Sequence, residues 1–369
     1  MRFFNYAPGD EVLQQVNERI SKVIRDGQFI GGEEVGLFEA KFAEFTGSSE
    51  VVSCGNGLDA LSLCLMDLEL PRGSRIAVSG HTFFATWLAI LNAGFVPVGV
   101  DADILNLQMD PDALAALLPS GDISAVIYVH MHGIMGDIQE ISKLCFENSI
   151  PLIEDCAQAH GLKVNGKHVG TFGEYGAFSF YPTKNLPALG DSGAVVSAKN
   201  SLRLLRARAN YGWMPGERDK HEILGVNSRL DTLQAGILNV HLEFLDAFNF
   251  RRGNIAREYS QAIIDAPNIQ GIPKGSVSVW HHFPVRVWDR DKFIDFMRSK
   301  NVPTQIHYPT PCHKQPTYLK SSSISKFSES LPNVEEISRT IVSLPMHPWL
   351  TRSEVDLVVS ALREWVENK

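Results

Sequence analysis

The stretch Tyr175-Gly-Ala-Phe-Ser-Phe-Tyr-Pro-Thr-Lys-Asn-Leu-Pro-Ala-Leu-Gly-Asp-Ser-Gly-Ala-Val-Val196 contains two apolar runs separated by a polar loop with Pro and Gly. The runs span 177–181 and 193–196, and Lys184 lies in the loop between them. Pro and Gly at these positions indicate turns. A lysine held beside apolar strands can lose its hydration, which lowers the pKa of the amine toward a form that condenses with carbonyl groups. Because most lysines are simply solvated at the surface, a chemical role for Lys184 needs a second observation.

That observation comes from the segment Pro151-Leu-Ile-Glu-Asp-Cys-Ala-Gln-Ala-His-Gly161. Its apolar start predicts a short buried strand, and polar groups at the carboxyl end of such a strand lie where open α/β sheets bind ligands. Asp155 is placed to keep a ring nitrogen protonated, and Gln158 to reach a neighbouring oxygen. A lysine for a Schiff base and an aspartate for a pyridinium nitrogen are what a protein contributes to pyridoxal phosphate chemistry.

Alternating strands and helices predict the fold class from about residue 51 onward. Short apolar runs near 51–53, 76–78, 96–100 and 125–129 are separated by single amphipathic segments. This order is typical of an α/β fold with a mostly parallel sheet flanked by helices. Asp110-Pro111 is expected to cap one helix, and Asp137-Ile-Gln-Glu140 resembles a capping box.

Periodicity divides the chain into two predicted domains. A helical pattern over 230–245 precedes a segment with strand-like residues at 277–287 and a closing amphipathic helix at 355–365. We therefore predict a large domain over 1–250 and a smaller α+β domain over 251–369.

Composition limits the classes of partner. The 369 residues carry 34 Lys and Arg against 42 Asp and Glu, a net charge of −8, without basic runs, which argues against nucleic acid. No apolar run approaches the length of ~20 residues that a membrane helix needs. The start of the chain lacks a signal-peptide pattern, and the five scattered cysteines are typical of buried thiols in a reducing cytoplasm. We expect a cytoplasmic enzyme that acts on small molecules.

Several motifs together resemble the DegT/DnrJ/EryC1/StrS family of sugar aminotransferases, which are fold type I pyridoxal phosphate enzymes. The motifs are Gly55-Asn-Gly-Leu-Asp-Ala-Leu61, His81-Thr-Phe-Phe-Ala-Thr-Trp87, Glu154-Asp-Cys-Ala-Gln-Ala-His160, Ser179-Phe-Tyr-Pro-Thr-Lys-Asn185 and Asn227-Ser-Arg-Leu-Asp-Thr-Leu-Gln-Ala235. The resemblance extends from the segment starting at Phe29 to the segment ending at Pro348. It implies a large domain with a mostly parallel sheet and a smaller C-terminal domain.

The resemblance also implies roles at the cofactor. Lys184 would hold pyridoxal 5'-phosphate as a Schiff base and later move the proton, while Asp155 would pair with the ring nitrogen. Pyridoxamine 5'-phosphate would be the intermediate carrier. The remaining cofactor-binding residues would be Gly57, Leu58 and Asp59 through their amides, Ser179 at the phosphate, Phe83 on the ring face, Gln158 at the phenolic oxygen and Asn227 at the phosphate of a neighbouring subunit.

On the substrate side, Tyr181, Tyr308 and His313 are expected to contact the sugar nucleotide. Arg229 has two alternative roles, a substrate contact or a structural one. The family works as a homodimer with active sites at the subunit interface. The loop 307–316 is rich in prolines and contains two histidines, but no carboxylate or cysteine lies at a convincing ligand spacing, so no metal is expected.

The expected reaction is transfer of an amino group, from L-glutamate, to a nucleotide-linked keto-sugar. The resemblance favours C3 of a dTDP-3-keto-6-deoxyhexose, as in O-antigen, capsule or antibiotic sugar synthesis; the alternative is C4 of a dTDP-4-keto-6-deoxyhexose. A second class is a catalytically inactive regulatory protein that binds the cofactor. A nicotinamide enzyme would need Gly-x-Gly-x-x-Gly after the first strand, and the Gly55-Asn-Gly57 turn lacks the third glycine.

Overall fold

A seven-stranded sheet forms the centre of the larger part of the chain. The structure is a computed structural model, and it describes residues 1–198, 202–214, 220–264, 266–273, 275–320 and 330–367. The strands are β1 (Glu50–Cys54), β2 (Arg75–Ser79), β3 (Val96–Val100), β4 (Ile123–Val129), β5 (Leu152–Asp155), β6 (Lys163–Val164), β7 (Lys167–His168), β8 (Tyr175–Ser179), β9 (Gly193–Ser197), β10 (Ile269–Gln270), β11 (Phe283–Val287) and β12 (Ile341–Leu344). The helices are α1 (Asp10–Asp26), α2 (Glu33–Thr46), α3 (Gly57–Asp67), α4 (Phe84–Asn92), α5 (Pro111–Leu117), α6 (Ile138–Glu147), α7 (Arg203–Ala209), α8 (Thr232–Ala262), α9 (Arg290–Ser299), α10 (Pro316–Leu319), α11 (Pro332–Thr340) and α12 (Arg352–Glu367). Short 3₁₀ turns lie at Leu118–Ser120, Met131–Gly133 and Cys312–Lys314.

The strand order of the large sheet is β1-β9-β8-β5-β4-β2-β3. All of its strands run in one direction except β9, which pairs antiparallel with both β1 and β8. The predicted α/β class with a mostly parallel sheet is therefore confirmed. Because the parallel strands share one direction, their carboxyl ends meet at one edge, where ligand sites of such sheets lie.

Both faces of this sheet are covered by helices, as expected for buried parallel strands. On one face, apolar residues of α2, α5, α6 and α8 pack against alternate strand residues such as Ala77 and Val126. On the other face, α3, α4 and α7 pack against the intervening residues such as Ile76 and Ile127. The continuous apolar runs of the strands follow from this double burial.

A second, antiparallel sheet has the order β10-β11-β12. It packs with the later part of α8 and with α9 and α12 in a separate apolar cluster, in which Phe283, Phe293 and Trp365 are buried. Helix α8 continues through residue 250, so the division into 1–250 and 251–369 stays a prediction.

Three local predictions were wrong. Only 283–287 of the strand-like segment 277–287 joins a sheet, because 277–281 instead bonds to the turn after β4, with Val279 N–H donating to the Gly133 carbonyl at 2.9 Å. Helix α8 begins at Thr232 rather than 230 and ends 17 residues later than residue 245, at Ala262. Asp137 precedes α6, but its side chain makes no capping hydrogen bond to the described residues.

Other boundaries agree with the sequence. Strand β3 has the predicted bounds, and Asp110 caps α5 by accepting a hydrogen bond from the Asp112 N–H at 2.9 Å. A search of the described helices for a segment able to span a membrane finds none.

Candidate active site

The carboxyl edge of the large sheet gathers the residues singled out in the sequence. Asp155 is the last residue of β5 and Ser179 the last residue of β8. The loop after β8 is tightly folded, since the N–H of Lys184 donates to the Tyr181 carbonyl at 2.8 Å and that of Ala188 donates to the Phe180 carbonyl at 2.7 Å. This fold of the loop returns Lys184 to the edge beside Asp155.

The surroundings of Lys184 lower the pKa of its amine, which favours nucleophilic chemistry. Burial lowers the pKa of Lys184 from 10.5 to about 8, and the nearby Asp155 carboxylate opposes that change. Within the described part of the chain, the amine makes no hydrogen bond and lies within 4.0 Å of no carboxylate oxygen. An unbonded amine of lowered pKa can attack a carbonyl carbon near neutral pH.

Asp155 is held in one orientation by two donors. The Thr86 hydroxyl donates to Oδ2 at 2.8 Å, and the Ala157 N–H donates to Oδ1 at 3.1 Å. Burial raises the pKa of Asp155, whereas these hydrogen bonds and the charge of Lys184 act in the opposite direction. A buried carboxylate with few hydrogen-bond partners is stabilised by a nearby cationic group, such as a protonated ring nitrogen.

Gln158 and two aromatic rings lie beside these charged groups. The His132 N–H donates to Gln158 Oε1 at 2.6 Å. Burial and the Asp155 charge raise the pKa of Tyr308, while a hydrogen bond with Gln158 acts against them. The rings of Phe83 and Tyr308 have centroids 5.4 Å apart, and Phe83 remains 56% exposed. An exposed ring at this edge is free to stack on a planar ligand.

The turn between β1 and α3 forms a concave surface with few side-chain atoms, here called the cradle, which consists of Gly57 and Leu58 together with Ser179 at the end of β8. A Cβ on Gly57 would lie 2.6 Å from the Ser179 Cβ, so only glycine allows this approach. Asn56 caps α3 by accepting from the Asp59 N–H at 2.9 Å. The N–H groups of Gly57 and Leu58 precede the first helical hydrogen bond and point away from the helix, as phosphate-binding amides do.

A second loop supports this cradle from the segment before α8. Ser228 accepts from the Gly55 N–H at 2.9 Å and donates to Asp59 Oδ2 at 2.7 Å. Its neighbour Asn227 is exposed, and Arg229 donates to Asn210 Oδ1 at 3.2 Å. Asn227 therefore faces outward from this chain, while Arg229 is engaged within its own loop.

The remaining predicted substrate residues differ in exposure. Tyr181 is 50% exposed at the edge of the cleft. His313 is buried, with its Nε2 3.2 Å from Glu335 Oε1. Thus Tyr181 is accessible to a ligand, whereas His313 is engaged by a carboxylate.

Sequence reasoning missed a group of histidines and one threonine. His81, His132, His282 and His307 adjoin one another through ring nitrogens or stacked rings, with a His282–His307 centroid distance of 3.9 Å. Thr86 lies in one of the recognised motifs, but no role was predicted for it. Its spacing of four residues from Thr82 would place both hydroxyls on one face of a helix.

Three buried side chains of types that can bind a metal ion lie close together, and two of them flank Asp155 in the sequence. His130, Glu154 and Cys156 offer atoms within 4.8 Å of one another. The Glu154 carboxylate, however, already accepts from His130 Nε2 and from the N–H groups of Gly170, Phe172 and Gly173, at 2.6 to 2.8 Å. These four donors make Glu154 an anchor for the backbone at 170–173.

A comparison with known proteins identifies the architecture. Residues 11–363 match the DegT/DnrJ/EryC1/StrS aminotransferase family. The chain belongs to this family. It is thus a pyridoxal phosphate-dependent aminotransferase, as the sequence motifs predicted.

Two relatives and one solved structure illustrate the similarity. The chain is 38% identical to the dTDP-3-amino-3,6-dideoxy-alpha-D-galactopyranose transaminase of Aneurinibacillus thermoaerophilus, over 95% of each chain. It is 35% identical to the UDP-N-acetyl-3-dehydro-alpha-D-glucosamine 3-aminotransferase of Acidithiobacillus ferrooxidans, over 97% of this chain and 95% of the relative. The structure of S. venezuelae DesV in complex with a ketimine intermediate matches with a TM-score of 0.90 and 35% identity, over 97% of this chain and 95% of that one.

The residues at the edge of the sheet fit the family's cofactor. Gly57 leaves room against Ser179 that any side chain would fill, which suits a phosphate at the start of α3. The amine of the partly buried Lys184 is unbonded among the described residues, and the buried Asp155 carboxylate would be stabilised by a cationic partner. The donors and acceptors therefore match phosphate, carbonyl and pyridinium groups of the cofactor.

Proposed function

We propose that this aminotransferase moves an amino group from L-glutamate to C3 of a dTDP-linked 3-keto-6-deoxyhexose. The observation that carries the aminotransferase chemistry is the partly buried Lys184, whose pKa is lowered to about 8, beside the buried Asp155. The position on the sugar is supported by the activities for which the two relatives are named, both of which place the amino group at C3. Since one name carries dTDP and the other UDP, the choice of nucleotide rests on the motif resemblance.

The residues have distinct roles in this proposal. The cofactor, when bound, supplies an electron-accepting ring and a carbonyl carbon that exchanges amino groups. Lys184 binds it covalently and afterwards takes and returns the proton at the reacting carbon. Asp155 keeps the ring nitrogen protonated, Gln158 donates to the phenolic oxygen, and Phe83 stacks on the ring.

Phosphate recognition is assigned to the cradle between β1 and α3. The N–H groups of Gly57 and Leu58 and the Ser179 hydroxyl bind phosphate oxygens directly. The N–H of Asp59 is occupied by Asn56, so Asp59 acts through its carboxylate, which holds Ser228 and the loop before α8.

The proposal includes a homodimer in which Asn227 completes the partner's phosphate site. Its support is the exposed position of Asn227 in a loop tied by Ser228 to the cradle of its own chain. On the substrate side, Tyr181 and Tyr308 contact the sugar nucleotide. Arg229 and His313 support the substrate site indirectly. Arg229 already donates to Asn210, and His313 already contacts Glu335.

The product would serve deoxyamino-sugar synthesis for O-antigen, capsule or antibiotic assembly in the cytoplasm. The alternative within the same chemistry is amination at C4 of a dTDP-4-keto-6-deoxyhexose. The alternative from a different functional class is a regulatory protein that binds the cofactor but does not turn over substrate. The lowered pKa of the Lys184 amine argues against it.

One experiment separates these functions. The purified protein with pyridoxal phosphate and glutamate is offered the dTDP-linked 3-keto and 4-keto sugars and a UDP-linked 3-keto sugar, with Lys184→Ala as the control. We expect an amino sugar, identified by mass spectrometry, from the dTDP-3-keto compound and none from Lys184→Ala. Turnover of only the 4-keto sugar would overturn the position, and a visible band that glutamate leaves unchanged would identify a non-catalytic binder.

A further inference from the structure

His132 occupies an unusual backbone conformation directly behind Gln158. It lies in the 3₁₀ turn after β4 and has φ 61° and ψ 1°, in the left-handed region that few residues other than glycine adopt. Gln108 holds the preceding residue by accepting from the Met131 N–H at 3.0 Å and donating to the Met131 carbonyl at 3.1 Å. A left-handed histidine is disfavoured, so the surrounding contacts must hold it there.

The imidazole of His132 is anchored through both ring nitrogens. Its Nε2 lies 3.2 Å from His81 Nε2, and its Nδ1 lies 3.1 Å from His282 Nδ1. Burial and the neighbouring histidines lower the pKa of His132 well below 6.5, so the ring is neutral and has one N–H. It therefore donates to one neighbour and accepts from the other, which gives the three rings a single direction of hydrogen bonding.

The backbone of His132 connects this histidine chain to Gln158. The His132 N–H donates to Gln158 Oε1 at 2.6 Å, while the His132 carbonyl accepts from the His281 N–H at 3.0 Å. The next residue, Gly133, is also left-handed, and a Cβ there would lie 2.5 Å from the Gln158 carbonyl oxygen. The turn after β4 is thus packed directly onto Gln158.

A side-chain amide whose oxygen accepts a hydrogen bond from a fixed backbone donor is held in one orientation, with its NH₂ group directed away from that donor. With Oε1 fixed by the His132 N–H, the orientation of Gln158 is decided. Its NH₂ group has two hydrogens, one for the Tyr308 oxygen and one for an acceptor at the ligand. If the turn relaxed to a right-handed conformation, the His132 N–H would point elsewhere. Gln158 could then rotate and present its oxygen, which repels a phenolic oxygen.

We propose that His132 is a positioning residue of the reaction centre: its ring, held by His81 and His282, keeps its backbone left-handed so that its N–H fixes Gln158 as a donor toward the cofactor. The inference rests on the proposed role of Gln158 at the phenolic oxygen. It assigns His81, His132 and His282 a common task, which is to set the direction of one hydrogen bond.

The test uses His132→Phe, which keeps a ring of similar size but removes both ring hydrogen bonds. A donor on the phenolic oxygen lowers the pH at which the visible band of the lysine-bound cofactor changes. Loss of that donor should raise this pH by about 0.7 unit, because one hydrogen bond is worth about 1 kcal/mol. The other titratable groups at the site, Lys184, Asp155, His307 and Tyr308, are retained.

Two further variants make the result specific. His347→Phe is the matched control, because His347 is also buried but its ring nitrogens have no hydrogen-bond partner among the described residues. His132→Asn should recover part of the wild-type value, since asparagine tolerates the left-handed conformation better than phenylalanine. In a Gln158→Ala background, His132→Phe should add almost nothing, because its effect passes through Gln158.

A measurement on the cofactor-free protein covers the case in which His132→Phe fails to fold. Ring ¹⁵N spectra of the wild type, assigned through His132→Asn, should show one protonated and one unprotonated nitrogen for His132 down to pH 6. A doubly protonated ring at that pH would overturn the proposal, as would equal band pH values in His132→Phe and His347→Phe. A wild type that binds no pyridoxal phosphate would instead overturn the proposed function.

Discussion

The Thr86 hydroxyl donates to Asp155 Oδ2 at 2.8 Å, and both side chains are buried. Thr86 lies in α4 and Asp155 at the end of β5, so the bond joins two elements that form the edge of the cleft. Because burial raises the pKa of Asp155, each donor that favours its ionised form matters for the chemistry.

Thr86→Val should weaken the hold of Asp155 on the cofactor's ring nitrogen. A hydrogen bond to a charged group contributes about 1.5 to 3 kcal/mol, so we expect kcat to fall by roughly 10- to 100-fold. Steady-state kinetics with the keto-sugar substrate measure this loss. Thr86→Ser retains the hydroxyl and should stay close to wild type. An unchanged kcat in Thr86→Val would show that Asp155 needs no help from this donor.

Capture of the cofactor should follow the lowered pKa of Lys184. The neutral amine is the reacting form, and its fraction rises as pH increases through about 8. The rate at which cofactor-free protein develops its visible band should therefore rise about tenfold from pH 7 to pH 9 and then level off. Stopped-flow absorbance measures this rate, and Lys184→Ala should form no such band. A rate that still climbs steeply above pH 10 would indicate an ordinary, solvated lysine.

Local sequence patterns predicted the parts of the fold that local physics determines. The apolar run 96–100 and the pair Asp110-Pro111 gave correct bounds for β3 and the start of α5 because neighbouring residues decide them. Segment 277–281 was assigned to a strand wrongly, since its partner is the turn at 132–135, which is remote in sequence. Periodicity within a segment contains no information about such a partner.

At the candidate site too, residues in local motifs could be predicted, whereas residues with partners remote in sequence could not. Lys184 and Asp155 were found because each sits in a recognisable motif, and the parallel sheet then brings them to one edge. The roles of Thr86 and His132 could not be found, since their partners lie 69 and 150 residues away. Hydrogen bonds of this kind depend on the packing of α4 and of the turn after β4, which the spacing of residues does not specify.

Glu154→Gln should destabilise the protein strongly. The Glu154 carboxylate accepts hydrogen bonds from four donors, and an amide would direct an NH₂ group at some of them. Breaking a buried charged arrangement of this kind costs about 3 to 5 kcal/mol. Urea unfolding of the cofactor-free protein measures the change.

Glu243→Gln is the control for this substitution. Glu243 pairs with Lys41 at 2.6 Å on the surface, where a salt bridge contributes at most about 1 kcal/mol. Equal losses of unfolding free energy in Glu154→Gln and Glu243→Gln would contradict the anchoring role of Glu154.

Gly57→Ala tests the cradle at the start of α3. The added Cβ would lie 2.6 Å from the Ser179 Cβ, so α3 and the end of β8 must separate. Overpacking of this kind costs about 1 to 3 kcal/mol. Since the phosphate is expected between these two elements, the Kd for pyridoxal phosphate should rise about tenfold or more, as measured by titration of the visible band.

Gly253→Ala provides the matched control, because Gly253 lies within α8 and an added Cβ would meet no atom of the described residues beyond its own helical turn within 4 Å. Alanine favours a helix over glycine by about 0.5 to 1 kcal/mol, so this variant should gain stability and bind the cofactor normally. The two substitutions add the same methyl group, and only the surroundings differ. If Gly57→Ala lost stability but kept the wild-type Kd, the phosphate would have to bind away from the contact between Gly57 and Ser179.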